Sequence, residues 1–345
     1  MSKFKNQFIN IGLLLLSLIL MFVTSEFAIA KLTSLGDTTG KTWDEDGLRW
    51  GNCYPSDNGN HFESVRTDAK GQKRYCVFYD TEKRKTGFFP DRPKQAALIG
   101  DSFTFGEGVK EEDTLGYFLS QKFPQTNFHN FGQSAAGVIY MYNRLSLLIQ
   151  ENPKIDTIIY FYNINDVLMS ENIASQQKLI MDFQNIRWSN VEKEENSIEK
   201  FLSKSVIFRL IKQASILKKE TKPTIQNYLD MYSFEKNGEE LSKTNQLLGA
   251  MNLLAKTNGK NFYIVFYPLL YKNAKGEYPF TPIHNYLALT CQQYAISCFD
   301  AVRAFDNDQS LQKYTVHPTD FHPNGLANKK IVEYLSKQEN FNLNR

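Results

Sequence analysis

Apolar residues are not spread evenly along this chain. They gather first in an uncharged stretch, Asn6 to Ser25, centred on Leu13-Leu14-Leu15-Leu16 and lacking a polar face. At about 1.5 Å per residue a helix of this kind spans roughly 30 Å, one hydrocarbon thickness. Residues 31–93 are polar and irregular, with Gly, Asp and Asn clustered at 36–60. A short strand is expected around Tyr75–Tyr79, and the charge run Glu82-Lys83-Arg84-Lys85 reads as a solvated turn. This part is read as a stalk and small β-containing appendage.

From residue 94 the texture changes. Short apolar runs of strand length recur: Ala96-Ala97-Leu98-Ile99 stopping at Gly100, then Thr126–Phe131, Thr157–Tyr162, Asn261–Tyr267 ended by Pro268, and Ile296–Phe299. Helical patterning fills the gaps at Leu115–Lys122, Tyr140–Gln150, Glu240–Thr257 and Ile283–Tyr294, with a last helix after Pro323 over Gly325–Lys337. The alternation predicts an α/β domain over 94–340, a parallel sheet with helices on both faces. Residues 167–240 are Lys/Glu-rich and interrupt it, so they are read as a helical insertion. Its apolar segment, 206–211, is expected to pack on the domain; a membrane-dipping face is the alternative.

Composition narrows the class. The 345 residues are 42% hydrophobic and 14% aromatic, which excludes a disordered chain. Forty Lys+Arg against 37 Asp+Glu leave +3, too weak a field to suggest a nucleic-acid partner. Lys3 and Lys5 precede the apolar stretch, so the amino terminus is expected on the cytoplasmic side and everything after Glu26 outside. An uncleaved signal anchor over 1–30 is the reading adopted. Cleavage at Ala28-Ile29-Ala30 is the alternative, and both export the domain, to the periplasmic side of an inner membrane or into the medium. The four Cys suit an oxidising compartment, with Cys53–Cys76 and Cys291–Cys298 the simplest pairing and four reduced, buried thiols the alternative. No Cys-x-x-Cys pair exists to suggest zinc.

In an open parallel sheet, ligands bind beyond the carboxyl ends of the strands. The segments that follow these ends are therefore the place to look for chemistry. They read Gly100-Asp101-Ser102-Phe103, Asn130-Phe131-Gly132-Gln133-Ser134 and Asn163-Ile164-Asn165-Asp166; the carboxyl-terminal region adds His317-Pro318-Thr319-Asp320-Phe321-His322. Ser102 sits on a tight strand-to-helix turn that Gly100 permits. A serine hydroxyl is a weak nucleophile and needs a base. Of the five histidines, His61, His129, His284, His317 and His322, the last is the best base, next to Asp320 just before the final helix. The backbone N–H of Ser102, the backbone N–H of Gly132 and the side-chain amide of Asn165 are the candidate oxyanion donors. Asp101 and Asp166 are expected to cap helices or hold loops. His317, Asp320 and His322 also have metal-ligand chemistry. No fourth ligand or activating glutamate is evident, and neither metal nor cofactor is expected.

This set of blocks, in this order, resembles the SGNH (GDSL-like) hydrolase family over about residues 94–340. The resemblance implies a three-layer, flavodoxin-like αβα fold and a Ser102–His322–Asp320 triad. Two positions differ from the family pattern. Asn163 stands where the third block usually begins with Gly, adding a side chain expected at the pocket wall. The last block reads Asp320-x-His322 rather than Asp-x-x-His, so either Asp320 or a backbone carbonyl orients the imidazole. The function expected is an extracytoplasmic serine esterase or acyl hydrolase, acting on small acyl groups such as acetyl on a glycan. An O-acyltransferase that passes the acyl group to a polysaccharide hydroxyl is the alternative. A catalytically inactive glycan-binding envelope protein is the second.

Overall fold

The strand Thr157–Asn163 is buried at every one of its residues, Thr-Ile-Ile-Tyr-Phe-Tyr-Asn. A run this apolar without alternation can only be covered on both faces, as in the middle of a parallel sheet. The computed structural model describes residues 2–32, 49–50, 63–67, 73–80, 83–84, 92–134, 136–167, 205, 207, 225–273, 275–317, 320–341 and 343. Along them run α1 (Ser2–Leu32), β1 (Arg49–Trp50), β2 (Glu63–Thr67), β3 (Lys73–Asp80), β4 (Lys83–Arg84), β5 (Lys94–Gly100), α2 (Ser102–Phe105), α3 (Leu115–Lys122), β6 (Thr126–Asn130), α4 (Val138–Glu151), β7 (Thr157–Asn163), α5 (Phe234–Thr257), β8 (Asn261–Tyr267), α6 (Thr281–Gln293), β9 (Ser297–Asp300), β10 (Thr315–His317), β11 (Asp320–Pro323) and α7 (Gly325–Leu335).

Among the described residues the sheet is nine-stranded, in the order β1-β2-β3-β4-β6-β5-β7-β8-β9. From β6 to β9 every pairing is parallel. Renumbered within the parallel part, this is the 2-1-3-4-5 order of flavodoxin-like folds, with its reversal between β5 and β7. The chain steps one way from β5 to β6 and the opposite way from β6 to β7. Right-handed crossovers therefore send α3 to one face and α4, α5 and α6 to the other. α4 packs on α5, and α7 packs on α3, which closes three layers. The core is aromatic: Tyr160, Phe161 and Tyr162 of β7 and Phe266 and Tyr267 of β8 are all buried. Phe161 and Phe266 each contribute about 1.5–3 kcal/mol by leaving water.

The α/β reading thus holds, with boundaries shifted by a few residues at most strands. α5 starts earlier than expected, at Phe234 rather than Glu240, and is kinked at Asn237, whose amide donates to the Asp230 carbonyl (2.8 Å). Before α5 the 167–240 insertion is described only at 167, 205, 207 and 225–233, and Cys53 lies outside the described residues, so the Cys53–Cys76 pairing falls there too. Cys291 and Cys298 are bonded, joining the end of α6 to β9.

The charge run at 82–85 is not a solvated turn, because Lys83–Arg84 forms β4. This strand pairs antiparallel with β3 on one side and with β6 on the other, with Arg84 opposite Asn130. Arg84 is 3% exposed. The sheet therefore continues without a break from the amino-terminal strands into the α/β domain, across the boundary at residue 93.

In α1 the leucines at 13, 14, 16, 18 and 20, with Phe22 and Phe27, are exposed. Glu26 accepts the Ile207 amide at 3.0 Å. Among the described residues no helix is long and apolar enough to cross a membrane.

Candidate active site

The site is built where β5 ends. Gly100 has φ +151°, and a Cβ there would lie 2.1 Å from Thr104 Oγ1 and 2.6 Å from the Phe161 carbonyl. Only glycine fits, so the chain can turn sharply out of the sheet into α2. Asp101 caps that short helix: its Oδ1 accepts the Phe103 amide at 2.9 Å. Ser102 follows as the first helical residue. Gly106, at φ 86°, ends the helix with its amide on the Ser102 carbonyl, and the Glu107 amide reaches the same oxygen. The nucleophile candidate is thus held by its backbone from both sides.

His322 comes from β11 of the β10–β11 hairpin, 220 residues away in sequence. Its Nε2 lies 2.8 Å from Ser102 Oγ, and its ring packs against Phe103 at 5.1 Å between centroids. Asn324 closes the hairpin onto α7. Its Oδ1 accepts the Leu326 and Ala327 amides, and its Nδ2 donates to the Lys313 and Thr315 carbonyls. Phe103 in turn meets Tyr267 edge-on (5.3 Å), and the Tyr267 hydroxyl donates to Asn328 of α7 (2.8 Å). The β8 end, the nucleophile turn and the histidine hairpin therefore share one packed floor. Asp320 pairs through its backbone with His317 in the hairpin. The side chains of His317 and Asp320 lie outside the described residues, so both the triad acid and the His317 metal reading fall there too.

The expected oxyanion donors fare differently. Asn165 lies in the turn after β7 and is exposed. Its side-chain amide is close enough to help lower the pKa of Asp101. The Gly132 amide, in contrast, is engaged: it donates to Asn130 Oδ1 at 2.9 Å. What the structure requires of Gly132 is the missing side chain. A Cβ would stand 2.3 Å from the Phe105 amide nitrogen and 2.8 Å from the Thr104 carbonyl carbon, both backbone atoms of α2. Gly132→Ala keeps its N–H yet must push this loop off α2. We expect it to lower kcat by on the order of 10²-fold, as a displacement of about 1 Å does in other active sites. Steady-state kinetics of the folded variant would check this; wild-type turnover would mean the loop yields freely.

Asn163 does not line a pocket wall. It is fully buried and caps the 164–166 turn, accepting the Asn165 amide (3.4 Å), while Asp166 Oδ2 accepts the Asn163 amide (3.2 Å). Asp166 also accepts from the Tyr160 hydroxyl at 3.0 Å. Asp101 and Asp166 do hold the loops, and both are buried. Burial raises the Asp101 pKa from 3.8 to about 6 against the opposing pull of the Phe103 amide, His322 and Asn165. Burial, then the charge of Asp101, raises that of Asp166 well above the usual carboxylate range. Between about pH 4 and 6 the folded protein therefore binds more protons here than the unfolded chain, and stability falls as pH rises through that window. Asp101→Asn keeps an acceptor for the Phe103 amide, and should flatten this fall in melting temperature. An unchanged slope would assign it to other groups.

Two residues important to this geometry had no role in the sequence reading. Asn130, fully buried, donates to the Thr104 carbonyl (2.8 Å) and the Phe105 carbonyl (3.3 Å) while holding Gly132. Its place in the second block was the available signal. Arg84 donates to the carbonyls of Phe105 (2.7 Å), Gly106 and Val109. Nothing in its charged neighbourhood pointed to that. Among the described residues no cluster of His, Cys, Asp and Glu could hold a metal ion.

No protein-family model and no curated protein matches this chain. Solved structures similar to it include a G-D-S-L family lipolytic protein of Desulfitobacterium hafniense (16% identity, 71% of this chain and 98% of that one, TM-score 0.42). Another is a G-D-S-L family lipolytic protein of Veillonella parvula (13%, 72% and 98%, TM-score 0.41). A third is an acetylxylan esterase of Geobacillus stearothermophilus (14%, 74% and 98%, TM-score 0.37). At such identities and TM-scores these likenesses carry no weight for function.

Proposed function

We propose that this protein is a serine esterase or acyl hydrolase. The single observation that carries the reading is the 2.8 Å contact between His322 Nε2 and Ser102 Oγ, on a glycine-permitted turn at the carboxyl end of β5. Ser102 Oγ attacks the ester carbonyl as His322 takes its proton. The negative charge that develops is met by the Ser102 amide and the Asn165 side-chain amide; Gly132 would have to release Asn130 to contribute. His322 then gives the proton to the leaving alcohol, which departs and leaves an acyl-Ser102. Water adds to that acyl group with His322 again as base, and the acid is released.

The substrate class implied by the family resemblance is a small acyl group, acetyl foremost, on an envelope or exported glycan. An extracytoplasmic location is supported by the lysines ahead of the apolar stretch and by the Cys291–Cys298 disulfide, a bond suited to an oxidising compartment. Fluorophosphonate labelling of the full chain, followed by peptide mapping, tests the activity. One adduct on Ser102 is expected. No adduct on folded protein would overturn the reading and favour a glycan-binding role.

A further inference from the structure

We infer that Arg84 is a positioning residue of the Ser102 turn, supplied by the amino-terminal strands, so that the appendage completes the active site instead of spacing it from a membrane. The inference rests on the serine-hydrolase reading above.

An arginine buried to 3% exposure is strongly disfavoured unless its donors are met. Here Nη1 and Nη2 find their acceptors in one short stretch of chain. The guanidinium donates to the carbonyls of Phe105, Gly106 and Val109, at and just beyond the carboxyl end of α2. The Phe105 carbonyl is one that the end of α2 leaves without an intrahelical partner. The guanidinium also stands 5.0 Å from the Phe105 ring centroid. Gly106 makes room for it: a Cβ there would lie 2.8 Å from Arg84 Nη1.

That same stretch holds the nucleophile. The amides of Gly106 and Glu107 both end on the Ser102 carbonyl, so the path of 105–109 sets where Ser102 sits. Directly opposite Arg84 on the neighbouring strand, Asn130 shares the Phe105 carbonyl and holds Gly132. The β4–β6 pairing thus aims one guanidinium and one carboxamide at the underside of α2. A planar fork spans several acceptors where a lysine ammonium, a single point on a flexible stem, does not.

The test uses the full-length protein and three variants, Arg84→Lys, Arg84→Met and Arg84→Ala. Two rates are measured per folded molecule, with folded fraction taken from circular dichroism. One is fluorophosphonate labelling of Ser102; the other is turnover of 4-nitrophenyl acetate. We expect both the labelling rate and kcat to fall by about 10- to 100-fold, as for other lost positioning contacts, with KM changed by no more than about threefold. Methylguanidinium should restore part of the lost rate to Arg84→Ala and none to Arg84→Lys. A folded variant that labels and turns over within twofold of wild type would overturn the inference, leaving Arg84 as a sheet contact only. If no variant folds, Arg84 serves the whole fold and the inference is equally overturned. If wild-type Ser102 is not labelled, the hydrolase reading itself falls and takes the positioning role with it. These failures are distinct.

Discussion

Ser102→Ala is expected to lower kcat by on the order of 10⁴-fold or more, while the melting temperature moves by about 2 °C or less. The asymmetry follows from where the hydroxyl is. Ser102 is half-buried, and the hydrogen bond described for its Oγ is the one to His322. Such a bond contributes only about 1 kcal/mol to stability, because water competes for both partners in the unfolded chain. The elements that make the turn stay in place without it: Gly100, the Asp101 cap and the amides on the Ser102 carbonyl. What disappears is the atom that forms the acyl-enzyme. Turnover of a 4-nitrophenyl ester beside a thermal melt would check both halves. Activity within tenfold of wild type would mean that another nucleophile is at work.

His322→Ala and His322→Gln are expected to lose activity alike, by on the order of 10³-fold or more. Glutamine retains a side-chain amide that can reach toward Ser102 Oγ but has no basic nitrogen to take its proton. If His322 only held the serine in place, the glutamine variant would keep much of the rate; if it is the base, it keeps almost none. The alanine variant is also expected to be less stable than Ser102→Ala, since it removes a ring that packs on Phe103 at 5.1 Å. The rate of fluorophosphonate labelling, measured on both variants, separates loss of the base from loss of the nucleophile. A glutamine variant that labels at the wild-type rate would end the general-base assignment.

The sequence by itself determined the layers of this protein. β7 was legible because five apolar residues in a row, Ile158 to Tyr162, suit a strand covered on both faces, whatever its neighbours are. α3 was legible to the residue, Leu115–Lys122, because its periodicity is local. Gly100 was legible as a sharp turn because a glycine ending a buried strand has few other reasons to be there. The meeting of Ser102 with His322 was legible only as a joint pattern of four blocks.

What only the tertiary structure decided is what each polar group is spent on. Arg84 looks like its charged neighbours until β4 pairs with β6, and that pairing buries it under α2. Gly132 looks like a donor until Asn130 takes its amide and the backbone of α2 occupies the place of its Cβ. Asn163 looks like a pocket residue until the 164–166 turn folds it inward as a cap. The physical reason is common to all three. Strand and helix periodicity are written within a few residues, whereas hydrogen-bond partners and close approaches depend on register between segments far apart in the chain.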